Sequence, residues 1–407
     1  MEERKIIAYK GFNGDMTCRD FQYEVGKGYI HEGDIELCES GFHACRNPFD
    51  VLNYYDNMLN GKYCIVEQSG TIKEGHDKQI SSKIYIKEEI GWQGLIKAGI
   101  DYIKDLTKPV GISNDMSDNG GYSAQIDSGS DYAKIGPSGD YAKIGSCGDY
   151  AKIGSCGFDT QIGSSGDAAQ IGSSGDSAHI GSSGYDARIG SSGDSAHIGS
   201  SGYCAHIGSS GRDAQIGSSG YYAHIGSSGD YTQIGSSGDY ARIGSSGDCA
   251  KIGSSGDYAQ IGSSGDYTMI GSSGSDAQIG LSGNRAKISS SGYSASIVSS
   301  GDYARIGSSG DYARIDSCGD FARIVSSSDY DQIASSGQGS VIMCDGYLSI
   351  ACAKKGSWIT LSEWEDDKEK GRLVPKCVKT EYVDGERIKE DVWYRLVDGE
   401  FKEEKIY

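Results

Sequence analysis

Ile252–Gly274 reads IGSSGDYAQIGSSGDYTMIGSSG, and whether this is a slack Gly/Ser string or a folded lattice decides the reading of the whole chain. Its spacing gives the answer. Ile stands at every ninth position from Ile126 to Ile333, 24 in succession, and Ile342 keeps the phase. A disordered tract buries nothing and has no reason to hold such a register. Ala or Thr falls two residues before nearly every Ile, so Ala-x-Ile puts a small and a large apolar side chain on one face of a strand and a variable residue on the other. The Gly-Ser-Ser-Gly that follows supplies permissive backbone and hydroxyls for a corner.

A strand and a corner every nine residues is the pattern of a parallel β-solenoid, in which each coil buries its apolar face only against its neighbours. The expected inner column is Ile126, Ile135, Ile144, Ile153, Ile162, Ile171, Ile180, Ile189, Ile198, Ile207, Ile216, Ile225, Ile234, Ile243, Ile252, Ile261 and their successors. Nine residues cannot enclose a core, so a coil holds either two nonapeptides in a flat prism or three in a triangular one. Residues 175–192 recur as 193–210, and Tyr185, Tyr203 and Tyr221 follow at the same spacing, which favours two. The handedness stays open. Open ends would be sticky strand edges, so caps are expected.

The flanks lose the period. Residues 1–112 read as an α+β domain: "KIIAYKGF" and "YCIVEQSGTI" as strands, "NPFDVLNYYDNML" as a helix behind Asn47-Pro48, and "EEIGWQGLIKAGIDYIKDL" as an amphipathic helix. Residues 113–340 form the solenoid. Residues 341–407 read as a β-meander cap with Asp-Gly hairpin signals in "EYVDGERI" and "LVDGEF". The fold class expected is mainly β, a nonapeptide solenoid between a small α+β domain and a β-rich cap.

The net charge is −19, with 12 basic against 24 acidic residues in 113–340. That balance argues against direct nucleic-acid binding, which needs a cationic footprint. No apolar run approaches the roughly 18 residues that span a bilayer, and "MEERKIIAYKGF" has no hydrophobic signal core. The expected setting is the cytoplasm, without membrane association. The 12 Cys include no Cys-x-x-Cys pair, and Cys147, Cys156, Cys204, Cys249 and Cys318 replace other residues inside repeats, as reduced fillers would.

The opening "AYKGFNGDMTCRDFQYEVGKGY" with "LCESGFHACRNPFDVLNYY", the "IGSSGDYA" repeats, "GSWITLSEW" and "VKTEYVDGERIKEDVWYRLVDGEF" together resemble uncharacterised modular proteins carried by phages and mobile elements of anaerobic bacteria. The resemblance implies a phage-type origin and carries over no activity and no functional residue.

Catalytic chemistry is thin. The repeat departs from the calcium-binding nonapeptide, since its first Gly-Gly pair is missing. Cys18, Cys38, His43 and Cys45 match zinc-finger spacing poorly. No phosphate loop occurs, because the glycines alternate with Ser at corners instead of opening a helix. No cofactor and no metal are expected, and the chain is read as not an enzyme. An ADP-ribosyltransferase-like N-terminal domain displayed on a rod is the least supported alternative, for want of a convincing catalytic Glu.

What remains is the rod's surface. Asp recurs four before Ile, as at Asp230, Asp239, Asp248 and Asp257, commonly followed by Tyr, as at Tyr231, Tyr240 and Tyr258. Asp capping its own corner and Tyr stacking on Tyr would explain both without a partner. A carboxylate row with adjoining aromatic rings would also present a nucleic-acid-like face to a cationic partner. The lattice is irregular between 176 and 224, where Tyr185 and Tyr203 displace Asp and His179, His197, His206 and His224 point outward. These residues are the candidate binding site. The function expected is a phage-type interaction protein whose solenoid binds and inhibits a basic host protein that handles nucleic acid or serves defence. The alternative is a structural spacer or virion-associated fibre. Homo-oligomers would form through the terminal domains.

Overall fold

The computed structural model describes residues 5–405 except 20, 37–39, 56–60, 76, 107–122 and 370. Two compact units emerge, Met1–Asp105 and Leu106–Tyr407. The domain boundary expected at 112/113 lies outside the described residues.

In the larger unit each nonapeptide contributes one four-residue strand of the form x-Ile-Gly-Ser, such as Gln233–Ser236 and Arg242–Ser245. A strand pairs in parallel with the strand two repeats along, never with its sequence neighbour: Ile234 faces Ile252, and Ile243 faces Ile261. The coil therefore holds two nonapeptides, and the triangular form is excluded. Alternate repeats feed two fifteen-stranded sheets. The first carries Ile144, Ile162 and their successors, and the second carries Ile153, Ile171 and theirs. Inside nearly every coil the Ile, the Ala or Thr two before it and the Ser two after it are buried. Ile126, in the first coil, is only partly covered.

The corners hold the coils together as firmly as the strands do. In the coil of Asp257, Ser255 N–H donates to Ser236 O at 3.0 Å, Tyr240 N–H to Asp257 O at 2.8 Å, and Asp257 N–H to Asp239 Oδ1 at 2.9 Å. The ladder thus continues around the bend, as buried backbone demands. Gly256 suits this corner, because a Cβ would lie 2.1 Å from Gly238 O in the preceding coil and the coils would have to part to admit it. The left-handed conformation falls two residues later, on Tyr258 at φ 56°. Inter-coil hydrogen bonds hold this non-Gly residue in a conformation that costs about 1 kcal/mol or more.

The C-terminal cap continues the same lattice. Ile342 pairs with Ile359 in parallel, after which Arg372–Tyr382 folds back antiparallel on Trp358–Asp367. The second sheet ends in the hairpin of Trp393–Val397 and Glu400–Glu404, turned at Asp398-Gly399, both at positive φ. One hydrophobic core runs from the repeats into Leu361, Val383, Tyr394 and Leu396. The hairpin expected at Asp384-Gly385 does not form. The Asp384 carboxylate instead accepts N–H donors from Glu386, Arg387 and Ile388, which coils the chain into a loop that buries Ile388.

The smaller unit is an antiparallel sheet of Ile6–Phe12, Lys62–Glu74, Gln79–Glu89 and Gly28–Ile30, with Phe42–Ala44 also paired to Gln79–Glu89. Helix Gly91–Leu106 follows it. The helix starts later than the sequence suggested: Glu88 and Glu89 still pair with Ile65 and Cys64, and Gly91 at φ 59° makes the turn. Behind Asn47, whose side chain accepts from Phe49 N–H at 3.1 Å, Pro48–Asn53 is a 3-10 turn. The rest of that expected helix extends into undescribed residues.

Candidate functional site

Because alternate nonapeptides turn at opposite edges, the acidic row read from the sequence is two rows. Asp230, Tyr231 and Asp248 lie on the edge that leads into the first sheet, and Asp239, Tyr240, Asp257 and Tyr258 on the edge that leads into the second. The carboxylates do not cap their own corners either. Asp230 Oδ1 accepts from Asp248 N–H at 2.9 Å and Asp248 Oδ1 from Asp266 N–H at 2.9 Å, so each Asp clips the following coil. Only one oxygen of each is engaged in this way, which leaves the negative charge exposed along both edges.

The second edge carries what a period of nine could not show. Tyr185 stacks on Tyr203 at 5.2 Å and Tyr203 on Tyr221 at 5.5 Å. Tyr221 meets Tyr240 at 5.2 Å, and Tyr240 stacks on Tyr258 at 4.9 Å. Rings from two different positions of the repeat thereby join one continuous file, with Tyr222 packed beside it. Crowding pushes the Tyr221 phenol up to about 12, by desolvation first and then by Tyr222 and Tyr240. Asp239 and Asp257 flank the file at its C-terminal end. Tyr231 stands apart on the opposite edge under the Arg212 guanidinium, 5.1 Å from its ring.

The four histidines do not form one cluster. His179 and His197 stack at 4.8 Å on the outer face of the first sheet, whereas His206 and His224 meet edge to face at 4.7 Å on the second. The second pair is covered, and burial holds His206 down to about 4 and His224 well below its ordinary value. His179 and His197 border a shallow trough of about 1470 Å³ along the first sheet. Its floor is a file of glycines including Gly181, Gly199, Gly217, Gly235 and Gly253, where a Cβ would meet nothing.

A second concavity, of about 800 Å³, lies in the smaller unit between the sheet and the segments around Arg19, Tyr29 and Tyr54. Of the cysteines and histidine singled out there, the described ones have other surroundings than a shared ligand sphere. Cys18 Sγ is 2.7 Å from the Tyr55 hydroxyl, Cys45 is buried, Cys38 lies outside the described residues, and no three potential ligands converge among the described residues. Lys10 lines this cavity and is buried, a placement that sequence reading did not single out.

Residues 6–98 match a family model, Domain of unknown function (DUF7666). No curated protein and no solved structure matches the chain. No helix among the described residues is long and apolar enough to cross a membrane.

Proposed function

We propose that this chain is a non-enzymatic interaction protein that uses the second edge of its solenoid, from Tyr185 to Asp257 and Tyr258, to engage a basic protein surface. The carrying observation is the continuous tyrosine file with carboxylates beside it. Rigid tyrosines lose little side-chain entropy on binding and anchor interfaces well, and a fixed acidic row selects a cationic partner. Stacked rings beside regularly spaced negative charge share two features with nucleic acid. The finer reading is therefore a phage-encoded inhibitor, acting in the cytoplasm of a bacterial host on a nucleic-acid-handling or defence protein.

The test is affinity capture by the full chain from host lysate, repeated with Asp239→Asn, Asp257→Asn, Tyr240→Ser and Tyr258→Ser combined. Asn keeps the carbonyl oxygen that clips the next coil, as Asn284 already does for Asp302 N–H at 2.9 Å. The expected result is one stoichiometric basic partner that raised salt releases and the variant fails to hold, with unchanged circular dichroism. Equal capture by the variant would remove the edge from consideration. The unbroken register of both sheets also suits a rigid spacer, which would copurify with virions and leave the partner-capture lane empty.

A further inference from the structure

Lys10 and Cys18 are brought together by a tight reversal of the chain. In the strand Ile6–Phe12 the alternation places Ile6, Ala8, Lys10 and Phe12 on one face, and all four are buried, Lys10 at 5% exposure. Just beyond the strand, Asn13 N–H donates to Thr17 O at 2.9 Å and Met16 N–H to Asn13 O at 2.9 Å, while the Asp15 carboxylate accepts from Thr17 N–H at 3.0 Å and Thr17 Oγ1 at 2.6 Å. Thr17 then pairs with Gln22 and Cys18 with Phe21 in a short antiparallel ladder. The reversal returns Cys18 to Lys10, whose ammonium donates to its Sγ at 3.4 Å. The Tyr55 hydroxyl, which burial keeps protonated, lies 2.7 Å from the same sulfur.

The pair is placed to react. A lysine beside a thiol is the setting in which cysteines act as nucleophiles, and oxidation to a sulfenic acid needs a sulfur that small oxidants can reach. Both residues line the cavity of about 800 Å³, and Cys18 is only partly buried. Cys64 shows the contrast: it is fully buried, and burial pushes its thiol up to about 12, which holds it in the unreactive form. An oxidised sulfur at Cys18 would find the Lys10 nitrogen one contact away. The rings of Phe12, Tyr55 and Tyr23, centred 5.3, 5.7 and 5.9 Å from that nitrogen, keep it there.

We propose that Cys18 is an oxidation site that closes onto Lys10 as a sulfenamide when the chain meets a hydroperoxide. In the first step the Cys18 sulfur takes one peroxide oxygen, the O–O bond breaks, and the other oxygen leaves as water with the thiol proton. In the second, the Lys10 amine, its ammonium proton lost to solvent, attacks that sulfur. An S–N bond forms, the S–O bond breaks, and the hydroxyl leaves as a second water with one amine proton. The peroxide is reduced by two electrons and the sulfur oxidised by the same two. Two small thiols reverse the link, giving back the thiol and the amine and leaving as a disulfide. The bond ties the strand Ile6–Phe12 to the reversal that carries Arg19 and Phe21, and so fixes one wall of the cavity in the oxidised chain.

Peptide mapping of the full chain tests this. The folded protein is treated with about a tenfold excess of hydrogen peroxide, its remaining thiols are alkylated, and trypsin is applied without reductant. The expected product is residues 6–19 as one species, uncut at Lys10 and about 2 Da lighter than the unmodified sequence, and dithiothreitol should restore the cut. Peroxide-treated Cys18→Ser should be cut at Lys10 as fully as untreated protein. In urea, where the reversal is lost, the wild-type chain should form the link at least about tenfold less. Unchanged cleavage at Lys10 in the folded protein, with Cys18 carried on to a sulfinic acid, overturns the proposal. A link formed equally in urea overturns it too, since a separation of 8 residues would then suffice without the fold. A linked species about 14 Da heavier would have kept the oxygen and overturns the sulfur–nitrogen bond.

Discussion

The backbone N–H of Asp248 donates to Asp230 Oδ1 at 2.9 Å, one coil away, and Asp266 N–H does the same to Asp248. The acidic residues of the repeat are therefore fasteners as well as charges, and the two roles separate chemically. Asp248→Asn should leave the urea midpoint nearly unchanged, whereas Asp248→Ala should lower stability by about 1 kcal/mol, the usual value of such a cap. Urea melts of the two variants decide this. Equal losses would mean that charge and not the hydrogen bond is what the corner needs.

Gly253 and Gly256, three residues apart, should respond oppositely to a methyl group. A Cβ on Gly253 would touch nothing, while one on Gly256 would lie 2.1 Å from Gly238 O. Gly253→Ala should fall within about 0.5 kcal/mol of wild type, aided by a less flexible unfolded chain. Gly256→Ala should cost about 2–4 kcal/mol through forced separation of coils. The chain contains its own partial experiment at Ser328, which stands at the Gly256-type position: the neighbouring Ser327 N–H···O bond to Ser308 is stretched to 3.3 Å, against 3.0 Å at Ser255. Chemical denaturation of both alanine variants is the measurement.

These contrasts also show what the sequence could and could not reveal. Nine-residue spacing of Ile announces strands that stack, because burial has no other way to produce that register. Which residues become neighbours depends on how many repeats close a coil, and the recurrence of 175–192 as 193–210 with the doubling at Tyr185, Tyr203 and Tyr221 hinted at two. Assigning Asp230 and Asp239 to one row failed for that reason, as did grouping His179 with His206. The tyrosine file joins Tyr221 to Tyr240 across two repeat positions, which no fixed period encodes. Lys10 was invisible because strand alternation has two phases, and which phase faces the core of a small sheet depends on the strands and turns packed against it.

Asp331 should impose a pH dependence on the rod. It takes the inward place that Ala or Thr holds in earlier coils, is fully buried, and accepts from Ala313 N–H at 2.8 Å and Ser328 Oγ at 3.0 Å, with Ser326 Oγ donating as well. Burial raises its carboxyl from 3.8 to about 6, against the lowering effect of those bonds. Between these values the folded chain keeps a proton that the unfolded chain has lost, so stability falls as pH rises from about 4 to about 6 and stays lower above. The contribution is on the order of 2–3 kcal/mol. Asp331→Asn keeps an acceptor for Ala313 and removes the titration. Its urea midpoint should exceed that of wild type above about pH 6, and the difference should shrink toward pH 4. A difference independent of pH would show that the buried group stays ionised throughout.

The inward serines offer the last test, because they oppose two expectations about a core. Ser236, Ser254 and Ser272 stack in the first sheet with buried hydroxyls that have no hydrogen-bond partner among the described residues. Thr232 shows the satisfied alternative, since its hydroxyl donates to Gly229 O at 2.6 Å and accepts from Ser227 Oγ at 3.0 Å. A buried hydroxyl without a partner costs about 1–3 kcal/mol, whereas deleting one oxygen from a narrow column opens only a small void. Ser236→Ala, Ser254→Ala and Ser272→Ala should therefore each leave the rod as stable as before or more so, and the triple variant should gain at least 1 kcal/mol or about that in urea. A cumulative loss would mean that the hydroxyls bond along the column in solution, and that the core is held together partly by a hydrogen-bonded serine ladder instead of by Ile and Ala alone.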